Sequence, residues 1–470
     1  MHSLVIKSKR GISMGKVVEE SNTSAKEEWR EKDSQYVWHH MMPYKASQNA
    51  MIVSHGEGPY IFDEDGNRYL DAMSGLWCVN LGYSEKELAQ AAFNQMSDMP
   101  FYPLSHSHKP AIKLGEKLNQ WLGGNYRIFY SNSGSEANET AFKIARQFHT
   151  QNGEPSRWKI ISRYRAYHGN SAAALAATGQ FIRKYKYEPL APGFIHVPPP
   201  DCYRLPFGQT PESFASYYEQ VINWEVPETV AAVIMEPVIT GGGVIVPPPG
   251  YIEEVRRICD KYGVLLIMDE VICGFGRSGK NFGFQNYGIK PDIVTMAKGI
   301  TSGYLPLSAT AVRAEIFDVF KDDAEYAHFR HVNTFGGHPV SCAVAVRTLE
   351  IMEERGIVER AAQLGHRLQQ KLSVLQENPH VGDLRFFGFL AGIELVTDKE
   401  SKTPAKPEFA AKVIGECKKS GVIIGKNGDT VPNQNNVLTL CPPFIVTDEQ
   451  VDFIADTVIN AIERVGSFEK

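Results

Sequence analysis

The clearest pattern along this chain is a series of short apolar runs that each stop at polar residues. Arg127–Tyr130, Lys159–Ser162, Val230–Met235, Val264–Met268 and Asp292–Lys298 carry it. Runs of this length, rich in Val, Ile and Leu and without alternation, read as strands buried on both faces. Helical patterns separate several of them, as in residues 250–262. Strands alternating with helices predict an α/β chain built on a largely parallel sheet.

The polar residues at the ends of these runs are the informative ones. They are Ser131–Ser135, Arg163–Gly169, Glu236, Asp269 with Glu270, and Lys298. Parallel strands present their C-terminal ends at one edge, where ligands bind. Five such ends are therefore expected to converge on one site.

Around this centre the texture differs. Residues 1–35 are polar and poor in pattern and read as a flexible arm, with Met1 and Met14 both open as the start. Gly58–Asp71 reads as a hairpin around the turn Glu64-Asp65-Gly66-Asn67. After residue 345 come helical patterns over Ser341–Glu354 and Ile357–Gln376, a strand over Gly388–Leu395 and a last helix from Asp448. This predicts a smaller α+β lobe. The expected organisation is an arm at 1–35, a joining segment at 36–75, a large domain at 76–345 and a small domain at 346–470.

Composition narrows the function. The 470 residues are 43% hydrophobic and 22% charged, as in ordinary globular proteins, with room for a large core. A formal net charge of −5 argues against a nucleic-acid surface. The 7 cysteines are scattered, with no C-x-x-C pair and no metal-ligand spacing, which fits a reducing compartment and no metal site. No run reaches the length of a membrane span, and Leu4–Ile6 is too short for a signal-peptide core. The expected location is the cytoplasm, with no membrane partner.

The chemistry centres on Lys298. A lysine at the end of a buried strand suits Schiff-base formation, because apolar surroundings free its amine as a nucleophile. Ser133-Gly134-Ser135-Glu136 has the pattern of a capping box, followed by an apolar helix face at Ala137, Ala141, Ile144, Ala145 and Phe148. Free N–H groups at such a helix start form a phosphate cradle. Tyr167-His168-Gly169 places an aromatic ring where it can stack on a flat heterocycle. Asp269 ends the most apolar strand and needs a partner, which a protonated ring nitrogen would supply. Asp269-Glu270 also resembles the magnesium site of nucleotide hydrolases, but no phosphate-binding G-x-x-x-x-G-K-[ST] loop precedes it. Taken singly these are a loop lysine, a plain cap, a core tyrosine and a structural salt bridge. Together they match one cofactor, pyridoxal 5'-phosphate, which uses a lysine Schiff base and an aspartate at its pyridinium nitrogen.

From about residue 35 to the C-terminus the chain resembles the class III aminotransferases of the fold type I pyridoxal-phosphate enzymes. The segments that carry the resemblance are Asn132–Asn138, Asp269–Arg277, Met296-Ala297-Lys298-Gly299 and Thr334–Pro339. It implies a large domain whose mostly parallel sheet is sandwiched by helices. It implies that Lys298 holds the cofactor and that Asp269 meets its ring nitrogen, with His168 and Glu236 beside the ring. Tyr167 and Val271 are then expected on its two faces. Gly134 and Ser135 take the phosphate, joined by Thr334 of a partner subunit, so the expected assembly is a homodimer or a tetramer built from dimers.

Within the family, the chain is similar to the amine and omega-amino acid branch that uses pyruvate. Ser74–Cys78 with Trp77 resembles its substrate pocket, and Gly337-His338-Pro339 its variant of the later motif. Arg163–Asn170 and His196–Tyr203 resemble taurine–pyruvate aminotransferases. Members of this branch often bind the acceptor acid with an arginine; at the matching place, Ile424–Asn427, this chain has Lys426. Lys426, with Arg165 second, is the expected acid-binding residue. The expected reaction moves the terminal amine of taurine, β-alanine or another amine to pyruvate, giving an aldehyde and alanine by a ping-pong route. Left open are other donors (diamines, γ-aminobutyrate, a diaminopelargonate-type reaction), 2-oxoglutarate as acceptor, a same-fold aminomutase or decarboxylase, and a non-catalytic binding protein.

Overall fold

The computed structural model describes residues 27–205, 210–427 and 430–467. The chain divides into two compact units, one of residues 1–56 with 61–68, the other of residues 57–60 with 69–470.

In the first unit, residues 27–36 form a helix. This corrects the last part of the expected arm; residues 1–26 lie outside the described residues. Helix formers dominate the stretch, and Lys32 donates to Glu28 one turn earlier. The expected turn at Glu64–Asn67 lies between strands Tyr60–Asp63 and Arg68–Asp71. Asp63 Oδ1 holds it, accepting from the N–H of Asp65 at 3.0 Å and of Asn67 at 2.9 Å.

The second unit is built on a seven-stranded sheet. Its strands are β1 (Tyr126–Ser131), β2 (Lys159–Arg163), β3 (Phe194–Val197), β4 (Val230–Met235), β5 (Leu265–Asp269), β6 (Ile293–Met296) and β7 (Ser308–Arg313). Their order is β1-β7-β6-β5-β4-β2-β3. β7 runs antiparallel to both β1 and β6, and the remaining pairs are parallel. The five expected strands are present. β3 and β7 were not among them. Lys298 also lies two residues past the end of β6 rather than within the strand.

Both faces of the sheet are covered, which explains the unbroken apolar runs. Ala232, Ile234, Leu265 and Ile267 pack on one side with Ala141, Phe142, Ile144 and Ala145 of helix α1 (Gly134–Gln151). The alternate residues Val233, Met235, Leu266 and Met268 pack on the other with Ile252, Val255 and Ile258 of helix α2 (Tyr251–Tyr262). Successive side chains point to opposite faces, so a strand buried on both shows no polar alternation.

Toward the C-terminus a second sheet has strands β8 (Val381–Phe386), β9 (Ala391–Asp398), β10 (Gly425–Lys426) and β11 (Val437–Leu440), in the order β8-β9-β11-β10 and antiparallel throughout. Helices Ile357–Leu372, Pro407–Lys419 and Asp448–Ser467 accompany it. β9 begins three residues later than the Gly388–Leu395 pattern suggests. Gly388 has φ of +56°, and a Cβ on it would lie 2.3 Å from the Ser278 backbone, so it turns the chain.

Candidate active site

Two parallel neighbours set the centre of the site. In β5 and β6, Asp269 is the register partner of Thr295. Lys298 follows three residues later in a short 3-10 turn (Lys298–Thr301), with a left-handed backbone of φ +48°. Both residues therefore leave the same edge of the sheet on adjacent strands. Asp269 is 3% exposed and Lys298 is half-buried.

The buried aspartate has protein partners, and the ionisable one is His168 rather than a lysine or arginine. Oδ2 accepts from Asn138 Nδ2 at 2.9 Å and lies 2.8 Å from His168 Nδ1; Oδ1 accepts from the Val271 N–H at 3.1 Å. Asn138 also donates to the His168 carbonyl at 2.6 Å. It thus fixes aspartate and histidine together from the first turns of α1. Asn138 was not singled out from the sequence. Its signal was a polar residue beside the apolar face that starts at Ala137. Oδ1 keeps capacity for one further donor, which suits a protonated ring nitrogen. Glu270 turns the other way. Its two oxygens accept from the N–H of Gly283 at 2.8 Å and of Phe284 at 2.7 Å, so it closes a turn and takes no part in the site.

Ser133 caps α1 as expected, its Oγ accepting from the Glu136 N–H at 3.2 Å. Glu136 reaches back to the N–H of Asn132 at 2.7 Å, one residue earlier than in a standard capping box. Gly134 packs closely: a Cβ there would lie 3.0 Å from a Val271 methyl, which would have to give by a few tenths of an ångström. Ser135 Oγ donates to Asn170 Oδ1 at 3.0 Å and accepts from the Asn170 N–H at 3.1 Å, at an exposed position. Gly169, with φ of +137°, lets the two segments meet, since a Cβ on it would come 2.5 Å from Ser135 Oγ. Asn170 is a second residue the sequence reading did not select. A glycine-flanked helix N-terminus with a hydroxyl at its mouth fits a phosphate group.

Tyr167 is half-buried and its hydroxyl is held above the ordinary tyrosine range, chiefly by burial, against the opposing pull of Arg183. The Arg183 guanidinium lies 5.1 Å from the ring centre. The Tyr167 N–H donates to Glu236 Oε1 at 3.3 Å, while Glu236 Oε2 accepts from the Thr240 N–H at 3.1 Å and the Thr240 hydroxyl at 2.8 Å. Burial raises the Glu236 carboxyl above its usual range, and nearby His168 opposes the shift. Glu236 thus clamps two loops at the strand edge. Trp77, at φ +63° after a kinked turn, packs against a buried group that includes Val238, Cys273 and Cys441.

Three expected residues do not join this network within one chain. Thr334 is exposed. Lys426 is exposed on β10, whose pairing partner for it is Leu438. Arg165 corrects the expectation that it is available for substrate. It is 4% exposed and every guanidinium nitrogen is engaged: Nη1 with Asp201 Oδ2 at 2.5 Å, Nη2 with the Gly242 carbonyl at 2.7 Å, and Nε with Thr430 Oγ1 at 3.4 Å. Sequence shows a cation near a strand end but not the distant carboxylate that captures it.

With this geometry in hand, comparison with known proteins is direct. Residues 41–462 match the model of the aminotransferase class-III family. The chain is 57% identical, over 93% of its length and 97% of the relative's, to an uncharacterised aminotransferase, YhxA, of Bacillus subtilis (strain 168). It is 43% identical to a taurine–pyruvate aminotransferase of Bilophila wadsworthia, over 92% of this chain and 96% of that protein. A Bacillus anthracis aminotransferase crystal structure superposes with a TM-score of 0.91 at 54% identity, covering 94% of this chain and 99% of that one. The α/β architecture is that of fold type I, and the cofactor of this class is pyridoxal phosphate. No helix among the described residues is long and apolar enough to cross a membrane. The chain belongs to the class III aminotransferases and is an aminotransferase enzyme.

Proposed function

We propose that this enzyme moves the terminal amino group of an omega-amino acid, taurine or β-alanine, to pyruvate, giving an aldehyde and L-alanine. The observation that carries the reading is the pairing at the sheet edge: Lys298 beyond β6, and Asp269 at the end of β5, held by His168 and Asn138. Likeness to the taurine–pyruvate aminotransferase supports the choice of substrates.

Pyridoxal phosphate, when bound, supplies the electron sink and carries the amino group between two half-reactions. Lys298 would hold it through its amine, and the same amine would serve as the base for the proton on the donor carbon. Asp269 would keep a proton on the ring nitrogen, and His168 steadies the carboxylate. Tyr167 and Val271 would flank the ring, and Glu236 sets the Tyr167 loop. Gly134 and Ser135 hold the phosphate at the α1 N-terminus, and Thr334 serves the site of a second copy in a homodimer. Trp77 borders the substrate, and Lys426 meets its acid group. We assign residues 76–345 to the large domain and 346–470 to the small one, with residues 36–75 joining the latter. The seven free cysteines favour a cytoplasmic enzyme.

Purified enzyme incubated with pyruvate and a panel of taurine, β-alanine, a diamine and an aryl-alkyl amine tests this by alanine release. Taurine or β-alanine should give the highest kcat/KM. Turnover only with 2-oxoglutarate, or only with uncharged amines, overturns it.

A further inference from the structure

The turn Ser74–Trp77 is held against its own backbone preferences. Ser74 has φ of +49°, Gly75 of +64° and Trp77 of +63°. Glycine tolerates such values, but a serine and above all a bulky tryptophan are strained by them. Strained residues of this kind persist only where their surroundings over-determine them, and they cluster at ligand sites. Here one carboxylate and one hydroxyl do so. Asp71 is 3% exposed. Its Oδ1 accepts from the Met73 N–H at 2.9 Å, and its Oδ2 accepts from the Gly75 N–H at 2.6 Å and the Tyr83 hydroxyl at 2.6 Å. Burial pushes the Tyr83 hydroxyl well above the ordinary tyrosine range and Asp71 adds to the shift, so the hydroxyl stays a donor. Asp71 is itself fixed by its backbone, as the parallel register partner of Ile423 and through its N–H, which donates to the Pro59 carbonyl at 3.0 Å.

The far end of the turn rests on the backbone that carries Lys298. A Cβ on Gly303 would lie 3.1 Å from Cys78 Cβ and 3.3 Å from a Val79 methyl, and the Gly303 N–H donates to the Lys298 carbonyl at 3.3 Å. The Leu81 N–H donates to Ser302 Oγ at 2.8 Å. The Cys78 thiol, raised by burial, is drawn back down by the Lys298 amine. Within the turn, the Ser74 hydroxyl donates to the Cys441 carbonyl at 2.6 Å and the Trp77 N–H to the Met73 carbonyl at 3.0 Å. Trp77 therefore stands between a start clamped by Asp71 and an end packed on the Lys298 segment.

We propose that Asp71 and Tyr83 are positioning residues for donor choice: by fixing the Ser74–Trp77 turn they hold the indole as a rigid wall that limits the bulk of the amine donor. The inference deepens the reading of Trp77 as a border of the substrate and rests on it. A wall fixed in advance costs a small omega-amino acid no ordering on binding, and it excludes a bulky amine. Freed from Asp71, the turn can relax toward negative φ, and the wall moves.

The test compares kcat/KM of the holoenzyme with pyruvate for a small and a bulky donor, β-alanine and an aryl-alkyl amine, beside hydrogen exchange in the peptide that contains residues 73–78. Asp71→Asn keeps the size but turns an NH2 group at a donor whichever way it lies. It should shift the ratio of the two kcat/KM values toward the bulky amine by about tenfold, the scale of one hydrogen bond to a charged group. Tyr83→Phe removes one of the three donors and should move the ratio the same way by about threefold, which carries the test if Asp71→Asn does not fold. Both variants should speed exchange of the Gly75 and Trp77 amides. An equal fall for both donors, unmoved exchange, or faster exchange with an unmoved ratio overturns the proposal and leaves Asp71 a structural tie. Trp77→Ala separates the two readings: a ratio unmoved there overturns Trp77 as a border of the substrate and this inference with it, whereas a ratio moved there but unmoved in the Asp71 and Tyr83 variants overturns this inference alone.

Discussion

The Nδ1 atom of His168 lies 2.8 Å from Oδ2 of Asp269, and both side chains are buried. Asp269 accepts on both oxygens, from Asn138 and His168 on one and Val271 on the other. An amide cannot replace it without pointing an NH2 group at a donor, whichever way it turns. Asp269→Asn is expected to retain cofactor but lose roughly a hundredfold or more in kcat, as other losses of preorganised charge do. Steady-state kinetics checks this. Near-normal turnover would show the aspartate to be structural.

Lys298 is expected to carry the cofactor alone. Borohydride treatment followed by peptide mapping should find the label at Lys298 and not at Lys280 or Lys290. Lys298→Ala should abolish turnover, because attachment point and base are lost together.

The contact between residue 134 and Val271 gives a packing test. Gly134→Ala places a methyl 3.0 Å from the Val271 side chain, which must move. Overpacking of this kind costs roughly 1–3 kcal/mol. Gly134→Ala should weaken cofactor retention on dialysis, and adding Val271→Ala should recover part of it. Unchanged retention in the single variant would remove these two residues from the cofactor site.

Exposure of Thr334 in one chain accords with a role across a dimer. Mixing inactive Lys298→Ala protein with protein inactivated at Thr334 should regenerate activity through hybrid dimers. Full activity from a sample shown to be monomeric by light scattering would contradict shared sites.

Lys426 and Arg165 should respond differently to truncation. Lys426→Ala should raise KM for taurine and pyruvate together while uncharged donors keep theirs. Arg165→Ala leaves Asp201 buried without its counter-charge, with only the Tyr203 and Arg204 N–H groups on Oδ1, so it should lower stability by roughly 3–5 kcal/mol, measured by denaturant unfolding. A raised KM for acids in stable Arg165→Ala protein would return that arginine to the substrate site.

The sequence made the sheet edge legible because parallel strands buried on both faces leave unbroken apolar runs. β7 escaped notice for a physical reason. Ser308-Ala309-Thr310-Ala311 has small side chains and weak strand character, and its place between β1 and β6 is decided by long-range pairing. Lys298 and Asp269 stood out because a charge beside an apolar run is costly and therefore conspicuous. Asn138 did not, being an uncharged residue inside a helix whose significance lies in the Asp269 carboxylate that folding brings to it. Arg165 was misread for the converse reason: Asp201, thirty-six residues away, neutralises it only in the folded chain.

With Arg165 sealed in its pair, the proposed role of Lys426 would leave discrimination between charged and neutral donors to an exposed cation. Its attraction for an acid group is open to screening by dissolved ions, which at physiological ionic strength fades over about 8 Å. Substrate choice then becomes partly a property of the medium. In dilute buffer the enzyme would favour sulfonates and carboxylates; in concentrated salt its preferences would flatten toward those set by shape at Trp77 alone.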